Sequence, residues 1–78
     1  MTPHNNTPNH QKILKEIGKR ICVLRKINGL SREDLAIKTN ICPKLLLKYE
    51  AGRGEMTVDK LIKIAEVLGL GVGRLFPE

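Results

Sequence analysis

Residues 30–52 read LSREDLAIKTNICPKLLLKYEAG, and their order of caps, breakers and apolar positions decides the fold. Ser31 is a helix N-cap. Arg32, Glu33 and Asp34 follow it, and two acids in a first turn suit the positive end of a helix dipole. Leu35 and Ala36 supply the apolar side of that turn. Thr39-Asn40 stops the helix, because asparagine enters the left-handed backbone region at low cost. Ile41 is an apolar anchor beyond the turn. Pro43 stands where a new helix takes its first residue, whose N–H has no intrahelical partner. Lys44 to Glu50 continue this second helix, and Ala51-Gly52 ends it. On a helical wheel Leu46 and Tyr49 lie inward with Ile41, while Lys44 and Lys48 share the opposite face, flanked by Pro43 and Leu47. Leu45 lies at the edge of the inward face, placed either to pack there or to join an apolar patch with Leu47.

Outward from this pair the pattern stays helical. A first helix is expected over about Gln11 to Ile27. Its wheel gathers Ile13, Ile17, Ile21 and Leu24 in one arc, with Leu14 and Ile27 at the edges and Lys12, Lys15, Lys19 and Lys26 opposite, as a solvated face. Arg20 and Arg25 flank the apolar arc, within reach of neighbouring helices or of a polyanion's backbone. Asn28-Gly29 is a turn. Downstream, Arg53 follows the second helix of the pair in a glycine-flanked loop. Thr57 is the N-cap of a fourth helix running to about Leu68, with Asp59 in its first turn and Leu61, Ile64, Ala65 and Leu68 as its core stripe. Gly69 ends it. Leu70, Val72, Leu75 and Phe76 form a last apolar segment, read as a short fifth helix that Gly71 and Gly73 weaken and Pro77 stops. Residues 1–10, MTPHNNTPNH, show no apolar period and read as a disordered arm ahead of a single domain over residues 11–78. The expected class is all-α, a compact bundle of five helices.

The order of these elements resembles the helix-turn-helix of the phage-repressor family, the Cro and xenobiotic-response-element type. That family shows a Leu-Ser-Gln-Glu-x-Leu-Ala run, a turn, and a short helix closing in aromatic-Glu-x-Gly. The counterparts are Leu30 to Ala36 and Tyr49-Glu50-Ala51-Gly52, and the likeness extends over residues 12–76. The resemblance implies a sequence-specific regulator of transcription that binds double-stranded DNA with the helix at about residues 43–51 in the major groove. It implies base reading from Pro43, Lys44 and Lys48. It also implies a phosphate contact from the position of Arg32, where the family usually has glutamine, and a partly buried ion pair between Arg25 and Glu50. Lysine donates to guanine O6 and N7 or to phosphate, Leu47 can meet a thymine methyl, and Arg53 is expected on a phosphate. A homodimer on a near-palindromic operator is expected, with Leu70, Val72, Leu75 and Phe76 as its dimerisation residues. Phage or plasmid repressors, restriction–modification controllers and antitoxins all fit. Leu45 and Leu47 stand where the family commonly has serine or threonine. They open a second reading, a protein-binding adaptor with a protein partner on an apolar face of the recognition helix.

Composition agrees with one small domain. The chain has 78 residues, 41% hydrophobic but only 3% aromatic, so its core must be aliphatic around Tyr49 and Phe76. The net charge of +6 is unevenly placed: residues 11–27 carry six basic residues and one acid, whereas residues 55–78 carry three basic residues and four acids. That asymmetry favours a polyanion on one side of the molecule. Cys22 and Cys42 match no zinc or CxxC spacing and read as reduced thiols. With no apolar run long enough for a membrane span and no signal-peptide core, a cytoplasmic location is expected. No Ser/His/acid or Cys/His set, phosphate loop or metal cluster is discernible, so neither an enzyme nor a cofactor is expected.

Overall fold

The computed structural model describes the backbone of residues 6–77 and the side chains of residues 11–77. Four α-helices follow in order: α1 (Asn6–Ile27), α2 (Arg32–Thr39), α3 (Pro43–Glu50) and α4 (Val58–Val67). Among the described residues a 3-10 turn over Val72–Leu75 follows α4. The expected fifth helix is therefore corrected to this one turn. Arg74 N–H donates to Gly71 O at 3.0 Å and Phe76 N–H to Gly73 O at 3.2 Å. Two glycines and Pro77 leave no run of residues over which helix formation could offset its nucleation cost.

The structure begins α1 at Asn6, five residues before the expected start, so the second half of the expected arm is helical backbone. Pro8 is compatible with this because it stands in the first turn, where amide hydrogens lack intrahelical partners. Residues 1–5 lie outside the described residues. Within α1 only the middle of the apolar stripe is covered. Ile17 and Ile21 are buried, whereas Ile13 is 43% and Ile27 72% exposed. The cause is length: 22 residues make a helix of about 33 Å, while the eight-residue α3 against which it packs spans about 12 Å.

The central pair is built by its caps. Ser31 Oγ accepts from the Asp34 N–H at 2.9 Å, and the Asp34 carboxylate accepts from the Ser31 N–H at 3.0 Å, so two free donors of α2 are satisfied reciprocally. Asn40 adopts φ 58°, ψ 35°, and Ile41 N–H returns to Ala36 O at 3.2 Å, which turns the chain out of α2. Pro43 opens α3, whose amides at Leu45 and Leu46 donate to Cys42 O. Leu35, Ile41, Leu46, Tyr49, Leu61, Ile64, Ala65 and Leu68 meet Ile17 and Ile21 in one aliphatic core. Tyr49 is buried, and its hydroxyl accepts from the Thr57 N–H at 3.2 Å, tying the end of α3 to the start of α4. α1 packs on α3, α2 bridges α3 and α4, and α4 supports the C-terminal turn. Among the described residues no helix is long and apolar enough to cross a membrane.

Candidate nucleic-acid interface

α3 divides as its wheel requires. Leu46 and Tyr49 point into the core, Leu45 is half-buried against it, and Pro43, Lys44, Leu47 and Lys48 are exposed. Leu47 keeps half of its surface in solvent. The outward face thus carries two lysines one helical turn apart with a leucine beside them, and no acid. Arg53 is exposed just past the C-terminus of α3, where its N–H donates to Lys48 O at 2.9 Å and closes the helix.

The C-terminal end of α3 is held against α1 by two close approaches. Gly18 is buried where a β-carbon would collide with the carbonyl oxygens of Tyr49 and Glu50, so only glycine lets the two backbones meet. Beside it lies an ion cluster. Arg25 Nε donates to Glu50 Oε2 at 2.7 Å and Arg25 Nη2 to Glu50 Oε1 at 3.2 Å, a two-pronged pairing with side chains only 7% and 5% exposed. Arg25 Nη1 donates to Leu30 O at 2.8 Å, which pins the α1–α2 turn to the same guanidinium. The Cys22 thiol lies 3.8 Å from Arg25 Nη2.

Arg32 joins this cluster. Its Nε donates to Glu50 Oε1 at 3.2 Å while its side chain stays 38% exposed. The pair expected from sequence is thus a triad, and the residue expected on a phosphate also shares a carboxylate within the chain. Burial opposes ionisation of Glu50, but the hydrogen bonds and charges of Arg25 and Arg32 outweigh it and hold the carboxyl below its ordinary range. The Arg25 guanidinium is pushed further up by its hydrogen bonds to Glu50. The sequence pattern pointed to the Arg25–Glu50 pair but not to the share of Arg32 in it. A wheel of α2 or α3 alone cannot show it, because it needs the crossing of the two helices.

The expected dimerisation residues separate in the structure. Leu75 is fully buried in the chain's own core and offers no surface, Leu70 and Val72 are partly covered, and Phe76 is 39% exposed.

Comparison with known proteins matches residues 24–75 to a helix-turn-helix family. The chain belongs to that family. Helix-turn-helix relatives include an uncharacterized HTH-type transcriptional regulator of Rickettsia conorii, 39% identical over 66 residues, which cover 85% of this chain and 53% of the relative. The chain therefore spans about half the length of such sequence relatives. Among solved structures, the restriction–modification controller protein C.AhdI of Aeromonas hydrophila superposes with a TM-score of 0.78 at 28% identity, over 81% of this chain and 96% of the controller. The biofilm regulator SinR, solved in complex with DNA, superposes with a TM-score of 0.71 at 32% identity, over 76% of this chain and 95% of SinR. The helix-turn-helix assignment thus agrees in family and in fold.

Proposed function

We propose that this chain is a sequence-specific DNA-binding regulator of transcription, acting in the cytoplasm as a homodimer on a near-palindromic operator, with α3 in the major groove and no enzymatic activity. The observation that carries the reading is the outward face of α3. Pro43, Lys44, Leu47 and Lys48 are free, while the opposite end of the same helix is locked to α1 by Gly18 and by the Arg25–Glu50–Arg32 cluster. A recognition helix must be rigid at its base and open on one face, because base contacts discriminate only when side chains are held in register. Arg25 and Glu50 orient the helix, Lys44 and Lys48 read base edges, Leu47 meets a thymine methyl, and Arg32 and Arg53 hold backbone phosphates. The half-exposed Arg32 does so from its place on Glu50. Phe76, with Leu70 and Val72 beside it, supplies the dimer contact. In a two-fold dimer the two α3 helices enter successive major grooves, about 34 Å apart.

Selection of binding sites from a random duplex library tests the reading. The expected outcome is a palindromic consensus with half-sites one helical turn apart and an affinity that falls steeply with salt. Lys44→Ala or Lys48→Ala then relaxes a single base position, at a cost of about 1–3 kcal/mol against the preferred base. A second reading is favoured by Leu47, an apolar side chain half-exposed on the face that would otherwise carry polar base readers. In that reading the same face docks a protein. Failure to enrich any sequence, with weak binding abolished by modest salt, would select it.

A further inference from the structure

The four lysines of α1 are equivalent on a helical wheel, but the structure sets one of them apart. Gly52, just past the end of α3, is buried with φ +72°, and a β-carbon there would lie 2.6 Å from Lys15 Cα and 2.7 Å from Lys15 Cγ. The loop leaving α3 is therefore pressed directly onto the α1 backbone at Lys15. Gln11, Leu14 and Lys15, which share one face of α1 at helical spacing, close a recess of about 400 Å³ with Gly52, Arg53 and Gly54. No acid lines that recess. The Lys48 side chain runs past its rim, with Cδ 3.8 Å from the place a β-carbon on Gly54 would take. Glu50, the acid in the last turn of α3, is already taken up by two guanidinium groups. Lys15 on α1, Lys48 on α3 and Arg53 in the loop after it thus place three cations at the C-terminal end of α3, with α1 and that loop held at fixed spacing by the contact of Gly52 with Lys15.

We propose that this recess is a phosphate clamp for DNA, in which Lys15 from α1 and Arg53 from the α3–α4 loop grip the sugar-phosphate backbone beside the groove that α3 enters, with the Gln11 amide as a further donor. This inference rests on the DNA-binding reading and extends it to a residue outside the helix-turn-helix. The ligand is a phosphodiester oxygen, so the contact carries no base preference. A helix lying in the groove has the backbone of one strand along its end, and cations fixed there set the register of the readers without contributing sequence information.

The test compares the wild type with Lys15→Gln, Lys15→Arg and Lys63→Gln. Lys63 is exposed on α4, which packs against α2 and the C-terminal turn, away from the recess. Affinity is measured for the selected duplex and for a scrambled duplex of equal length over about 50–200 mM salt. The expected result for Lys15→Gln is a several-fold loss of affinity, by the same factor on both duplexes, with the logarithmic salt slope shallower by about 1. Lys15→Arg keeps the wild-type slope, and Lys63→Gln matches the wild type throughout. Indistinguishable behaviour of Lys15→Gln and Lys63→Gln would overturn the clamp, as would a loss confined to the selected duplex. A wild type that binds neither duplex sinks the DNA-binding reading and the clamp with it. A wild type that binds while Lys15→Gln is unaltered removes the clamp alone.

Discussion

At the scale of single residues, Glu50 is the position that ties the end of α3 to both α1 and α2. Its carboxylate receives Arg25 and Arg32 and is nearly buried. Its pKa in the folded chain lies below the ordinary value of 4.5, so it releases its proton more readily folded than unfolded. The unfolded state then binds more protons on acidification, and the contribution of Glu50 is fully present above pH 4.5 and lost as the pH falls through the lower, folded value. Glu50→Gln leaves a buried guanidinium facing a neutral amide and is expected to cost on the order of 1–3 kcal/mol at neutral pH. Denaturant melts at pH 7 and at pH 3 check this: the gap between wild type and variant should narrow at the lower pH. An equal gap at both values would mean that Glu50 is not ionised against its arginines. The pairing of Arg25 with Glu50 was accessible from the motif. The share taken by Arg32 was not, because it depends on where the start of α2 crosses the end of α3.

At the scale of elements, α2 is eight residues long, too short to persist by its own propensity. It is held by its ends and its buried face. The reciprocal bonds of Ser31 and Asp34 satisfy amides at its start, and hydrogen bonds donated to the Asp34 carboxylate by the Ser31 N–H and by the Ser31 hydroxyl hold that carboxyl below its ordinary range. Ser31→Ala is expected to cost about 1 kcal/mol, lowering the melting temperature by roughly 4–8 °C in a domain of this size. Because Arg32 sits in the same first turn, fraying should also loosen its contact with Glu50. Thermal melts of Ser31→Ala, Arg32→Ala and the double variant would show a loss for the pair smaller than the two losses added; strict additivity would separate cap and cluster. The same caps explain what could be read in advance. Ser31, Asn40, Pro43, Gly52, Thr57 and Gly69 are local signals with a local cause, and α2, α3 and α4 begin and end within two residues of them. The start of α1 and the shape of the last segment carry no such mark. Asparagine, proline and histidine concealed five further residues of helix, and the apolar pattern of residues 70–76 fits one turn of 3-10 helix as well as an α-helix.

At the scale of the whole molecule, the C-terminal segment has two tasks that its sequence pattern does not separate. A domain of this size buries only about 60% of its extended-chain surface, so each apolar side chain matters to the fold before it can matter to a partner. Leu75 has been taken by the core, completely buried where α1, α4 and the terminal turn meet, whereas Phe76 next to it remains over a third exposed. The two positions should therefore fail differently. Leu75→Ala empties a packed site and should cost about 2–5 kcal/mol, lowering the melting temperature at every protein concentration. Phe76→Ser removes a side chain that is only partly covered, so its isolated domain should lose less stability than Leu75→Ala at low concentration. If the dimer reading is right, it should sediment as a monomer at concentrations where the wild type is dimeric and lose affinity for the two-half-site duplex while keeping affinity for one half-site. Sedimentation of both variants over a concentration series separates the cases. A Phe76→Ser chain that still dimerises would move the interface away from the C-terminal turn, and the half-exposed apolar positions on α1 and α4, Ile13 and Ile62, would then be the next surface to alter.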